Sequence, residues 1–275
     1  MIYNYSFAEL NLRLITDNAI TENGFAPVFK SDFADADITL HLNKGEVPCD
    51  VAPRYHTDTV GVSPDGAVVI HDLGVKQNGL CIRKTEKDGE YTVIYNDEKY
   101  LEGRYIFGLI DLPGLLVAFN RVMLHSSYII YNGKAVLFCG KSGVGKSTQA
   151  DLWKKFAGAE IINGDKTALF IKNGKPFVSS LPVAGTSGIC KNLIAPLNAV
   201  VFLSQGKTNA VTPLSRFDAA LAALENCIID IWKNGETDKV LSLVAGIFKS
   251  ARAFSFACLP DSSAVDILKD KLENE

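Results

Sequence analysis

The sequence predicts an α/β fold in two parts: a smaller β-rich N-terminal domain, residues 1–122, and a C-terminal domain, residues 123–275. Three observations predict it. Before residue 100, short β-like runs (DITLHL, AVVIHDL, LCIRK, YTVIYN) are separated by the turn signals PDG, NG and KDG. After residue 123, apolar strands alternate with helical patterns. Between one such strand and one such helix lies the glycine-rich run GKSGVGKST, residues 140–148.

In the first domain, the spacing of the runs predicts an antiparallel meander. GLLVAFNRVML, which follows Pro113, has apolar residues at helical spacing and predicts a connecting helix. In the second domain, SYIIYNGKAVLFCG predicts two strands turning at Asn132-Gly133. KSTQADLWKKFAG predicts a helix ended by Gly158, with Trp153 and Phe156 in the core. EIING predicts a strand, TALFIKNGKPFVSS a hairpin turning at Asn173-Gly174, and NAVVFLSQ another strand. DAALAALENCIIDIW and DKVLSLVAGIFKSAR predict helices, FSFACL a last strand and AVDILKDKL a last helix. No internal repeat interrupts this order.

Composition narrows the function classes. With 275 residues, 47% of them hydrophobic and 21% charged, the chain can bury a sizeable core. A net charge of −3 with scattered basic residues gives no electrostatic footprint for nucleic acid. The 6 cysteines (Cys49, Cys81, Cys139, Cys190, Cys227, Cys258) form no CxxC pair, and free thiols in a reducing compartment are expected. The N-terminal MIYNYSFAELNLRL lacks an unbroken apolar signal core, and no run spans a bilayer. A cytoplasmic location without membrane contact is therefore expected.

Residues Gly140, Lys141, Ser142, Gly143, Val144, Gly145, Lys146 and Ser147 fit the pattern G-x-x-x-x-G-K-[ST]. Each part has a physical purpose. The glycines let successive backbone N–H groups turn inward onto an anion. The following helix offers its N-terminus to the same anion. Lys146 brings a point charge to the β- and γ-phosphates of a nucleotide, and Ser147 brings a hydroxyl to Mg²⁺. The strand before and the helix after are the context this motif requires. Thr148 and Gln149 extend the helix toward the nucleotide.

Phosphate chemistry also needs an acid. Asp165 ends the next apolar strand, so one helix and one strand return it toward the loop, although Gly-Asp after a strand is also an ordinary turn. His125, in MLHSSYII, stands at the entrance of the strand pair before the loop; an isolated histidine is more often a plain core or surface residue.

Taken together, the chain from about residue 120 to 215 resembles the HPr kinase/phosphorylase family and its relatives among the ATP-dependent phosphoenolpyruvate carboxykinases. The resemblance rests on LHSSYII, GKSGVGKST, INGDKTAL, SSLPVAGTSGICKN and PLNAVVFLSQGKTNAVTPLS, in that order. It is similar above all to the stand-alone HPr-serine-kinase-related proteins. It implies a phosphoenolpyruvate carboxykinase/HPr kinase-like P-loop domain with a mixed sheet, using ATP and Mg²⁺. Lys166 resembles the basic residue at that place in the family. One departure matters: the family commonly has two adjacent acids where this chain has Gly164-Asp165. Either Asp165 is the base, with Ser147 and the phosphates carrying the metal, or Asp165 binds the metal and the base lies elsewhere.

The expected activity is transfer of the γ-phosphoryl group to a hydroxyl, on a protein, peptide or small molecule. Asp165, His125 and Lys146 are the expected catalytic residues, and Ser147 and Asp165 the expected metal ligands. His125 either orients the carboxylate or approaches the metal. Gly185, Thr186, Ser187 and Lys191 are the expected acceptor loop, with small side chains, backbone N–H groups and one charge. The rival expectation is a nucleotide-binding regulatory module without transfer. A carboxykinase acting on a C4 acid fits poorly, because no arginine set surrounds these residues. The sequence does not determine the oligomeric state.

Overall fold

The computed structural model describes residues 1–47, 55–56, 60–62, 67–72, 77–84, 89–109, 111–183, 185, 187–229 and 235–274. The chain forms two compact units, Met1–Leu112 and Pro113–Glu275, each with a mixed sheet.

The first unit begins with β1 (Ile2–Phe7) and β2 (Leu10–Thr16), a hairpin turning through Ala8 and Glu9, both left-handed at φ 52° and 57°. Neither residue is the glycine or asparagine such a turn favours, so the sequence gives little warning of it. Alternation in β2 is regular: Leu10, Leu12 and Leu14 are buried while Asn11 and Arg13 are not. β3 (Ile38–Lys44), β4 (Tyr55–His56), β5 (Val60–Val62), β6 (Val68–Asp72), β7 (Gln77–Lys84) and β8 (Glu90–Tyr95) complete an eight-stranded sheet in the order β1-β2-β3-β8-β7-β6-β5-β4.

The expected antiparallel meander holds from β4 to β8 and fails beyond it, because β2–β3 and β3–β8 are parallel. Short 3-10 turns occur at Ala26–Phe29 and Glu98–Leu101, followed by helix α1 (Gly103–Leu109). Phe107 on α1 meets Tyr5 and Phe7 edge-on, with ring centroids 5.1 and 6.1 Å apart.

Helix α2 (Leu112–Ala118) crosses the division between the units. The predicted connecting helix is thus too long. Asn120 takes the left-handed conformation, φ 63°, and its N–H caps the carbonyl of Val117. The chain then extends, and RVML opens β9 (Arg121–Tyr131) instead of closing a helix.

The second unit continues with β10 (Lys134–Cys139), α3 (Lys146–Ala157), β11 (Glu160–Asn163), β12 (Lys166–Lys172) and β13 (Lys175–Ser180). β14 (Ile194–Gln205), β15 (Ala210–Pro213), α4 (Arg216–Leu224), β16 (Cys227–Ile228), α5 (Glu236–Ile247), β17 (Arg252–Cys258) and α6 (Ser262–Asn274) follow. The two Asn-Gly turns form where the sequence places them, with φ 48° and 72° at Asn132-Gly133 and 50° and 74° at Asn173-Gly174.

Two long strands each serve two neighbourhoods. β9 pairs with β12 through its first half and with β10 through its second. β14 pairs with β13 near its start and runs parallel to β10 and β17 further on. The pairings β10-β9-β12-β13-β14-β10 therefore close a circuit.

Both faces of β10 and β14 are covered, which explains their unbroken apolar runs. Ala135, Leu137, Val200 and Phe202 pack with Ala219 and Ala223 of α4 and Val240, Val244 and Ile247 of α5. Val136, Phe138, Val201 and Leu203 pack with Ala150 and Trp153 of α3 and Val265 and Leu268 of α6. Each such fully buried leucine or phenylalanine contributes about 1.5–3 kcal/mol. Phe156, expected in the core, is half exposed, with Lys155 over its ring. The predicted helix over residues 218–232 is shorter than expected: Cys227 and Ile228 leave it to pair with β9, and residues 230–234 lie outside the described residues.

Candidate functional site

The glycine-rich turn sits where β10 hands over to α3. Gly140, Gly143 and Gly145 have φ 142°, 78° and 114°, a backbone that side chains resist. A Cβ on Gly140 would also meet Val144 Cγ1 at 3.0 Å and the Leu203 carbonyl oxygen at 3.1 Å. Gly145 precedes α3 and gives no side-chain cap, so the first turn of the helix is not closed by one. Lys146, the first helical residue, is buried, and its Nζ donates to the carbonyls of Gly140 (2.9 Å) and Lys141 (3.3 Å). Burial pulls its pKa down; Cys139 and Asp165 oppose that fall. Lys141, Ser142, Gly143, Ser147 and Thr148 are exposed around the turn. Gln149 is not: it is buried, and its Nε2 donates to the Leu259 carbonyl at 3.2 Å, tying α3 to the end of β17.

Asp165 and His125 meet through the register of two strands. β12 and β9 pair Lys166 with His125, and the Ser126 N–H donates to the Asp165 carbonyl at 2.9 Å. His125 Nε2 consequently lies 3.1 Å from Asp165 Oδ1, and Lys166 Nζ lies 3.7 Å from Asp165 Oδ2. Burial first, then the Lys146 ammonium, hold the His125 pKa below its ordinary value; Asp165 opposes this and Lys166 adds to it. Lys146, His125 and Asp165 therefore form one electrostatic neighbourhood.

Two asparagines that the sequence did not single out hold this arrangement. Asn226, after α4, accepts the Gly140 N–H through Oδ1 at 2.8 Å, and its carbonyl accepts the His125 N–H at 2.9 Å. Asn163, fully buried at the end of β11, accepts the N–H groups of Asp165 (2.8 Å) and Lys166 (3.0 Å) through Oδ1. Asn163 had an advance signal, its place beside the expected acid Asp165; Asn226 had none, because it falls inside a segment predicted to be helical.

The expected acceptor loop folds onto the acid turn. A Cβ on Gly185 would lie 3.1 Å from Asp165 Cγ, and one on Gly164 would lie 2.1 Å from Ser187 Oγ. Thr186 lies outside the described residues. Lys191 is not brought to the acid: its Nζ pairs with Glu160 at the opposite end of β11, 2.5 Å away. Both partners are about half exposed, so this pair contributes little to stability.

Two clefts flank the glycine-rich turn. One, of about 630 Å³, is lined by His125, Gly140 and Lys141 together with Glu225, Asn226 and Ile228. The other, of about 340 Å³, is lined by Gly143, Gly145 and Thr148 together with Gln205, Leu259 and Pro260. Cys227, beside the larger cleft, is pushed up to about 12 by burial, so its thiol stays protonated. Cys81, Cys139, Cys190, Cys227 and Cys258 are free thiols, and Cys49 lies outside the described residues. Among the described residues no cluster of three or more His, Cys, Asp or Glu could hold a metal ion. Nor is any described helix long and apolar enough to cross a membrane.

No curated protein matches this chain. Among solved structures, the Hpr(Ser) kinase/phosphatase from Coxiella burnetii is similar at 12% identity, over 55% of this chain and 92% of that one, with a TM-score of 0.30. A likeness of that size carries no functional argument. The family model described as SynChlorMet cassette protein ScmC matches residues 117–256, just over half of the chain and nearly all of the site, and the chain belongs to that family.

Proposed function

We propose that the second unit is an ATP-dependent phosphotransferase that moves the γ-phosphoryl group to a hydroxyl. One observation carries this reading: the glycine-rich strand-to-helix turn, with its lysine held on the Gly140 carbonyl, shares a cleft with His125, which lies 3.1 Å from the Asp165 carboxylate. Phosphoryl transfer asks mainly for positioning and charge stabilisation, and these are the groups that supply both.

The donor set fits a nucleotide's phosphates. Backbone N–H groups of residues 141–147 and the start of α3 cradle the β-phosphate. The Lys146 ammonium exchanges its carbonyl partners for phosphate oxygens and follows charge onto the γ-phosphoryl group. Thr148, in the smaller cleft, stands toward the nucleoside side of the turn, and Gly140 and Lys141, in the larger one, toward the transferring end. Asp165 accepts the hydroxyl proton as the acceptor oxygen bonds to phosphorus and the bridging oxygen leaves with ADP. His125 orients that carboxylate. With Asp165 as the base, Ser147 is the side chain that would hold Mg²⁺, the phosphates completing its shell, and the metal would supply charge neutralisation.

A nucleotide-binding module without transfer is the second reading, and one observation favours it. Ser187 fills the space beside Gly164 in which a second acid would need to sit. Incubation with γ-labelled ATP, Mg²⁺ and a panel of hydroxyl acceptors separates the two. Transfer that is lost in Asp165→Asn while ATP affinity is kept supports the phosphotransferase. ATP binding with no labelled product across the panel supports the module.

A further inference from the structure

Asn163 makes more polar contacts than any role as a turn residue needs. Its Oδ1 takes the two N–H groups of the acid turn, those of Asp165 and Lys166. Its Nδ2 faces the other way, toward Ser180 Oγ (3.0 Å), the Leu181 carbonyl (3.1 Å), the Val183 carbonyl (3.0 Å) and Cys190 Sγ (3.5 Å). The residue is fully buried, so water cannot replace any of these partners. Only an amide offers acceptor and donors at opposite corners of one short planar group. Aspartate keeps the acceptor and loses the donors, and serine is too short for both jobs.

The segment held by Nδ2 is the one that lies on the acid. Gly185 packs against the Asp165 carboxyl group, Ser187 against Gly164, and the Gly164 N–H donates to the Ile189 carbonyl at 3.4 Å. We propose that Asn163 is a positioning residue coupling the Asp165 carboxylate to Leu181, Val183 and Cys190, so that an acceptor displacing these residues re-aims the acid in the same movement. The clamp is a matter of hydrogen bonding within the chain; its effect on transfer rests on the phosphotransferase function proposed above.

The test compares wild type, Asn163→Asp and Asn163→Ser at pH 8 by residue-resolved amide exchange and by transfer kinetics with Mg²⁺ and ATP. In Asn163→Asp, the amides of Gly164 and Gly188 should exchange at least tenfold faster, while those of Asp165 and Lys166 stay within about threefold of wild type. In Asn163→Ser, which brings no charge into the core and stands in should the aspartate variant not fold, all four should lose protection. The transfer rate should fall at least tenfold in either variant, with the KM for ATP unchanged within twofold. Wild-type exchange at Gly164 and Gly188 in both variants overturns the clamp. An equal loss of ATP affinity and rate shows a merely structural residue and overturns the positioning role. If wild type itself transfers nothing, the proposed function fails, and the exchange measurements still decide the clamp.

Discussion

Ser187 Oγ lies only 2.1 Å from where a Cβ on Gly164 would stand, well inside contact distance. The Ser187 Cβ is 2.9 Å from the same point. The glycine in INGD thus leaves room for the neighbouring segment, which closes over the acid turn. A carboxylate at residue 164 and this placement of Ser187 exclude each other.

Gly164→Ala should therefore destabilise the protein by about 1 kcal/mol, the low end of the cost of overpacking, because the exposed Ser187 side chain can turn aside. Ser187→Gly should cost little alone and should recover more than half of that loss in the double variant, because it removes both clashing atoms. Urea denaturation of the two singles and the double checks this as a coupling energy. Additive effects would show that the two positions do not touch.

Lys146→Ala should weaken ATP binding about tenfold to a hundredfold, since hydrogen bonds to a charged group contribute about 1.5–3 kcal/mol each. Titration calorimetry gives the affinity directly. The loop carbonyls that Lys146 serves lie at the turn, so far-UV circular dichroism should stay as in wild type. An unchanged affinity would remove the glycine-rich turn from the proposed site.

Asn226→Ala should cost about 1–3 kcal/mol, because the half-buried Gly140 N–H loses its acceptor. Asn226→Asp keeps an oxygen for that N–H but loses the bond from Nδ2 to the Ala222 carbonyl, and should cost less. Denaturant midpoints rank the three proteins. Equal losses in both variants would place the contribution in the Ala222 bond instead.

The metal-free protein should lose stability as pH falls through the ordinary imidazole range, near 6.5. Folding lowers the His125 pKa, so the unfolded chain binds this proton more readily, and acid favours unfolding. The effect is fully absent above the unfolded pKa and complete below the folded one. His125→Gln should flatten the stability profile between pH 7 and 5 relative to wild type. Partial exposure of the imidazole keeps the difference small, so thermal midpoints across closely spaced pH values are the suitable measurement. A profile that does not change places the acid sensitivity elsewhere.

Some elements were hidden by local ambiguity. RVML carries apolar residues that suit a helix or a strand equally, and Asn120 decided the matter by turning left-handed. The β1–β2 hairpin turns through Ala8-Glu9, a pair with no turn signature, while Tyr5 and Phe7 of β1 pack on Phe107. The parallel pairings of β3 could not be read at all, since they join strands far apart in the chain. Phe156 was misplaced because helical periodicity does not say how wide the buried face is.

The amino-acid order alone determined the local geometry of the second unit: the two Asn-Gly hairpins, the glycine-rich turn with Lys146 opening a helix, and the stop at Gly158. These follow from steric limits on φ and from capping, which act between near neighbours. The meeting of His125 with Asp165, the closing of Ser187 on Gly164 and the double grip of Asn163 belong to the tertiary structure. They depend on the register of β9 against β12 and on loops closing across it, contacts between residues far apart in the chain that no short stretch contains.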